Sequence, residues 1–149
     1  METLKTDLVE ELNKLAVINN DRTEGYQKAS SETEDMELKT LFSRFALQSR
    51  KFNSQLQTEI TKAGGKPETG TTESGKLYRV WMDIRAALTG KDKKQILSSC
   101  EYGEDVARDT YKDVLKDTNL PTDLLTLITS QFNEIDTAHS EIKKLRDTI

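Results

Sequence analysis

The sequence predicts an all-α fold: four long helices, with a long crossover between the second and third that carries a fifth, short helix. Apolar residues recur at alternating steps of three and four over stretches of more than 20 residues, the period of one helix face. The chain has only 7 Gly and 2 Pro. The alternation of β-branched and aromatic residues that strands require is nowhere sustained. At 149 residues it is the size of one domain, and residues 1–149 are read as a single unit.

The first helix is expected from about Thr6 to Ser31, with Leu8, Leu12, Leu15, Asn19, Arg22 and Tyr26 along one stripe. Asp35 is a fitting N-cap for the second, because its short carboxylate can accept from an otherwise unpaired amide. That helix's stripe is Leu38, Phe42, Phe45, Ser49, Phe52, Leu56 and Ile60, and Gly64-Gly65 should end it. Lys66 to Ser74, with Pro67 and Gly70 among Thr and Glu, reads as an exposed loop. A shorter helix follows from about Gly75 to Leu88, presenting Leu77, Trp81, Ile84 and Leu88. Asp92 with Gln95 suggests a capping box for the next helix, which carries Leu97, Cys100, Glu104, Ala107, Tyr111 and Val114. Pro121 is placed in the first turn of the last helix, where the missing amide costs nothing. The final stripe is read as Leu125, Ile128, Phe132, Ile135, His139 and Ile142.

Short turns make the first two and the last two long helices antiparallel pairs. The middle connection is long enough to travel the length of the helices, which makes the second and third long helices parallel. That is the plan of a one-crossover bundle.

Charge narrows the function. The formal net charge is −4 with both signs interspersed, which argues against a nucleic-acid footprint and gives no reason to expect binding to anionic lipid. No apolar run approaches the roughly 18 residues of a membrane span. The first residues lack a signal pattern, and the single cysteine fits a reducing compartment, so the expected location is cytoplasmic.

Each stripe turns polar near mid-helix, at Asn19, Ser49, Glu104 and His139. In register, these four share one interior layer, and buried polar groups must be paired or cost about 1–3 kcal/mol each. Di-metal bundles place a Glu on each of two helices and Glu-x-x-His on the other two. Here the pattern is half present: Glu104 supplies one carboxylate, and Asp136 with His139 a shortened version of one pair. Asn19 stands where a second carboxylate is wanted, and Ser49 and Phe52 where a Glu and a His are. No cofactor is therefore expected. A mononuclear site of Glu104, Asp136 and His139, assisted by Glu24 or Glu101, is the competing reading, and it would suit iron, manganese or zinc. Arg22 or Arg79 is expected to supply the positive charge that an ion would otherwise give Glu104.

The remaining candidates read as structural. Cys100 sits on an apolar stripe with no neighbouring base to activate it. Gly64-Gly65-Lys66 lacks phosphate-loop spacing. Tyr78 and Trp81 are spaced for packing, with a small-ligand pocket as the alternative.

Five segments resemble one known family together: Asn20-Asp21-Arg22-Thr23-Glu24-Gly25-Tyr26, Tyr78-Arg79-Val80-Trp81, Ala86-Ala87-Leu88-Thr89-Gly90-Lys91-Asp92, Cys100-Glu101-Tyr102-Gly103-Glu104-Asp105, and Ala138-His139-Ser140-Glu141-Ile142-Lys143-Lys144-Leu145-Arg146-Asp147. Their order is similar to that of a bacterial family of ferritin-like four-helix-bundle proteins of unknown function. The resemblance covers essentially the whole chain. It implies a ferritin-like four-helix bundle, a bacterial cytoplasmic protein and a loose link with stress responses. It brings no established catalytic residues. Tyr78 departs from the family pattern, which often has His there, and removes one potential imidazole. The expected function is a non-catalytic, structural or stress-associated interaction protein, forming a homo-oligomer through an exposed helix face. The alternative is a metal-dependent oxidoreductase or metal-storage protein.

Overall fold

The computed structural model describes residues 2–70, 76–90, 92–117 and 119–149, with side chains described from Asp7 in the first helix and from Val80 in the third. Five helices and no strand occur among them: α1 (Glu2–Glu32), α2 (Met36–Lys62), α3 (Lys76–Gly90), α4 (Lys93–Leu115) and α5 (Thr122–Asp147).

The helix ends follow local chemistry. Asp35 caps α2, accepting from the Leu38 amide at 3.0 Å, and Asp92 caps α4, accepting from the Gln95 amide at 3.1 Å. At the end of α2, Gly64 takes φ +82°, its amide donates to Thr61, and the Gly65 amide donates back to Ile60 at 2.9 Å. This paired closure satisfies carbonyls that the last turn would otherwise leave bare. Pro121 lies one residue outside α5 as its N-cap, rather than inside its first turn. Its φ of −57° and ψ of 148° launch the helix without a side-chain cap.

Cross-helix pairs fix the directions. Along α1 and α2, Asn20 meets Asn53, Arg22 meets Gln48 and Ser30 meets Ser43, so the two run antiparallel. Along α4 and α5, Glu101 meets Arg146, Arg108 meets Asp136 and Tyr111 meets Gln131, again antiparallel. Between the pairs, Asn19 reaches Tyr111 while Tyr26 reaches Glu104, which sets α1 against α4 in opposite directions. Arg44 with Glu141 and Phe52 with Gln131 do the same for α2 and α5. Helices α2 and α4 are therefore parallel.

The crossover makes this possible by retracing α1. A Cβ on Gly65 would lie 2.5 Å from the Val9 side chain, so the chain leaves α2 hard against α1. Asn13 then donates to the Lys66 carbonyl at 3.1 Å and accepts from the Glu68 amide at 2.9 Å. About two turns further on, Asn20 donates to the carbonyls of Glu68 and Gly70. The α3 segment continues past Gly25, where a Cβ would sit 2.3 Å from the Trp81 ring, and past Glu32, which pairs with Arg85 at 3.7 Å. Val80 meanwhile presses on α4 at Gly103, where a Cβ would stand 3.0 Å from it. Two glycines inside helices thus mark the groove in which α3 lies.

The core falls into two apolar halves. One holds Tyr26, Phe42, Phe45, Ile84, Leu97 and Ile142, the other Leu12, Leu15, Phe52, Leu56, Ile128 and Ile135. The expected stripes of α2 and α4 are buried residue for residue. Helix α5 is rotated from its expected face: Leu124, Ile128, Gln131, Ile135, Ala138 and Ile142 are buried, while Leu125 is exposed and Phe132 and His139 lie at the margin. On α3 the buried positions are Val80, Ile84 and Ala87, with Trp81 and Leu88 partly covered. No helix is long and apolar enough to cross a membrane among the described residues.

Candidate functional site: a buried polar network

Between the two apolar halves lies a set of fully buried polar side chains: Asn19, Arg22, Ser49, Glu104 and Gln131. Their helices place them there because each stands on its stripe near mid-helix, where the expected apolar residue is replaced.

Arg22 on α1 and Glu104 on α4 are each 1% exposed and meet as a two-point pair, Nε to Oε2 at 3.0 Å and Nη2 to Oε1 at 2.8 Å. This fork-on-carboxylate geometry is the strongest form of a charged hydrogen bond. The Tyr26 hydroxyl donates to the same Oε1 at 3.0 Å. Arg22 Nη2 also donates to Gln48 Oε1 at 2.9 Å, and Nη1 to Asn19 Oδ1 at 3.4 Å. The guanidinium carbon lies 5.8 Å from the centre of the Tyr26 ring.

From Asn19 the network crosses the interior with a consistent donor direction. Asn19 Nδ2 donates to the Tyr111 hydroxyl at 2.8 Å and to its own helix at the Leu15 carbonyl. Tyr111 donates to Gln131 Oε1 at 2.7 Å, and Gln131 Nε2 donates to Gln55 Oε1 and the Phe52 carbonyl. All four long helices are tied together. Ser49 is not a member: its hydroxyl returns to the Phe45 carbonyl of its own turn.

Electrostatics follow from burial. Removal from water alone would lower the Arg22 pKa, but the Glu104 carboxylate outweighs it and holds the guanidinium above its ordinary value. Burial pushes the Tyr26 hydroxyl well up, and the Glu104 charge beside it adds to the shift. Burial and Glu104 likewise push up the Cys100 thiol, which makes it an unreactive core residue.

The other expected site residues are dispersed. His139 is 13% exposed on the outer flank of the α4–α5 seam, its Nε2 2.8 Å from Asp105 and 3.6 Å from Glu101. It therefore lies outside the interior layer, because the α5 seam passes through Ala138. Asp136 is half exposed and faces Arg108 at 3.1 Å. Glu24 is exposed and pairs with Lys28 one turn on, at 2.9 Å. The side chains of Arg79 and Tyr78 lie outside the described residues. Of the expected metal ligands, only Glu101 and His139 come together, with Asp105 as a third that sequence reading missed. It also missed Gln131, hidden one position from Phe132, and the roles of Gln48 and Gln55.

A bridged pair of metal ions does not fit the interior layer. Asn19 and Ser49 offer no carboxylate, Phe52 cannot ligate, and both Glu104 oxygens are engaged by Arg22 and Tyr26. What the arrangement does chemically is hold one buried ion pair in a satisfied hydrogen-bond network.

A family model described as Domain of unknown function (DUF2383) matches residues 7–117. The chain belongs to this family. The matched span of DUF2383 runs from α1 through α4, so it contains both Arg22 and Glu104 and stops short of α5 with His139. No curated protein matches the chain.

Proposed function

We propose that this DUF2383 protein is a non-catalytic, ferritin-like four-helix bundle in which a salt bridge occupies the place of a metal centre, and that it acts as a structural or stress-associated interaction protein of the bacterial cytoplasm. The observation that carries the reading is the Arg22–Glu104 pair, which engages the one carboxylate of the network at the centre of a one-crossover helix plan. Antiparallel pairs α1–α2 and α4–α5, with α2 parallel to α4, match what such bundles share. A guanidinium held in two-point contact is a fixed cation; it cannot change oxidation state or open a coordination position. Catalysis at this layer is therefore not expected.

Self-association through a helix face belongs to the same reading. Leu47 stands 62% exposed beside a mainly polar groove of about 590 Å³ between α1 and α2, and is an apolar anchor on which a second copy would dock. A clean monomer by light scattering at all concentrations removes that part of the proposal.

The test of the central claim is aerobic oxidation of Fe(II). The expected result is oxidation at the rate of buffer alone, unchanged in Glu104→Gln. Oxidation that is accelerated by the protein and lost in Glu104→Gln would establish a metal-dependent oxidoreductase instead.

A further inference from the structure

We propose that Glu101, Asp105 and His139 form a binding site for one divalent transition-metal ion of the zinc class on the outer seam between α4 and α5. The site shares no ligand with the Arg22–Glu104 layer and stands or falls independently of it.

Three features of the geometry support it. Glu101 and Asp105 are one helical turn apart, so both carboxylates leave the same face of α4, and the antiparallel α5 brings His139 opposite them. One donor atom from each of the three lies within 4.8 Å of the other two. Zinc bonds of about 2.0–2.2 Å to nitrogen and oxygen put neighbouring ligand atoms roughly 3–3.5 Å apart. The imidazole Nε2 stands 2.8 Å from Asp105 Oδ1 and 3.6 Å from Glu101 Oε1, on either side of that spacing. Small side-chain movements close the site.

Burial is graded in the way an exchangeable ion needs. His139 and Glu101 are 13% and 17% exposed and so held in place by packing, whereas Asp105 is 46% exposed and leaves an edge open to solvent ligands. A set of one imidazole and two carboxylates suits zinc, cobalt or nickel better than magnesium or calcium, which prefer all-oxygen shells.

Two arginines now use these carboxylates, and each has somewhere else to go. Arg108 pairs with Asp105 at 3.4 Å and also with Asp136 at 3.1 Å. Arg146 pairs with Glu101 and also with Asp147 at 3.2 Å. An ion entering between Glu101 and Asp105 therefore strands neither guanidinium. Two carboxylates neutralise a doubly charged ion, and the bound state ties α4 to α5 through three protein ligands.

The experiment uses the full chain with Zn(II) in calorimetry and Co(II) in proton NMR. His139 is the single histidine of the sequence, so its ring signals are assigned without ambiguity. The expected result is one Zn(II) per chain, and selective shift and broadening of those ring signals by Co(II). His139→Ala and Asp105→Asn should each weaken Zn(II) binding by more than about tenfold. Asp105→Asn alters a half-exposed side chain, so it tests the site without touching the core. No stoichiometric binding, or binding unchanged in either variant, would overturn the proposal. Binding kept in His139→Ala but lost in Glu104→Gln would overturn it too, by moving the ion to the interior.

Discussion

Arg22 shows how much one buried side chain can decide. Its guanidinium is 1% exposed, and every contact it makes is internal, so its ion pair is useful only while both partners are present. Removing one member leaves the other charge buried without compensation, a cost of about 3–5 kcal/mol, whereas replacing both by apolar residues is often neutral. Arg22→Met is therefore expected to lower the urea midpoint severely, and Arg22→Met with Glu104→Met to recover much of the loss. A double variant no better than the single would show that the pair is not the unit. Glu11 makes a second prediction from an unlike cause. Burial, with Asp117 nearby, pushes its pKa from 4.5 up to about 7, so the fold favours the protonated form. A folded pKa above the unfolded one contributes stability in full below about pH 4.5, and that contribution is lost as pH rises through about 7. The difference in urea midpoint between the protein and Glu11→Gln, followed from pH 4.5 to 8, should change in that window and in that direction.

At the scale of elements, α3 is held by fit. The indole of Trp81 rests on Gly25 and meets the Tyr26 ring edge-on, with centroids 4.9 Å apart. A methyl group at position 25 would stand 2.3 Å from ring atoms, so Gly25→Ala must push α3 outward. Overpacking of this kind costs about 1–3 kcal/mol. Trp81 is the only tryptophan, and its emission should shift to the red in this variant as the ring is exposed; an unchanged spectrum would mean that α3 does not lie in that groove in solution. Helices α2 and α4 were legible in the sequence because their inward stripes keep unbroken steps of three and four, from Leu38 to Ile60 and from Leu97 to Val114. Helix α5 was not. Leu124-Leu125, Gln131-Phe132 and Ala138-His139 each offer two neighbouring candidates for one inward position. Hydropathy does not separate the first pair and prefers the wrong member of the second, and in the third the sequence reading takes His139 as a polar member of the interior layer in place of Ala138. The choice is made by Tyr111, whose hydroxyl needs Gln131 as its acceptor, and that is a fact about another helix. The same rotation sends His139 to the flank, so the interior layer was legible on α1 and α4 and misread on α5.

For the whole molecule, the topology depends on a connection that hydropathy reads as featureless. Asn13 and Asn20 bind the crossover by its backbone at Lys66, Glu68 and Gly70, and so fix its path along α1. Asparagine suits the task because its amide donates and accepts at once. Asn13→Ala combined with Asn20→Ala is expected to speed amide exchange across Lys66–Gly70 while α2 and α4 keep their protection. Loss of protection throughout would show that the crossover and the core open as one unit.

Arg22 and Glu104 belong to opposite halves of the chain, 82 residues apart. Within α1 and α2 alone the guanidinium has only the neutral partners Asn19 and Gln48, and the anion that answers it stands on α4. A chain halted before α4 is a hairpin with an unanswered charge at its waist, and water must remain there. The pair is thus an ionic latch between the two halves of the chain, which penalises a state that lacks either half far more than the finished one.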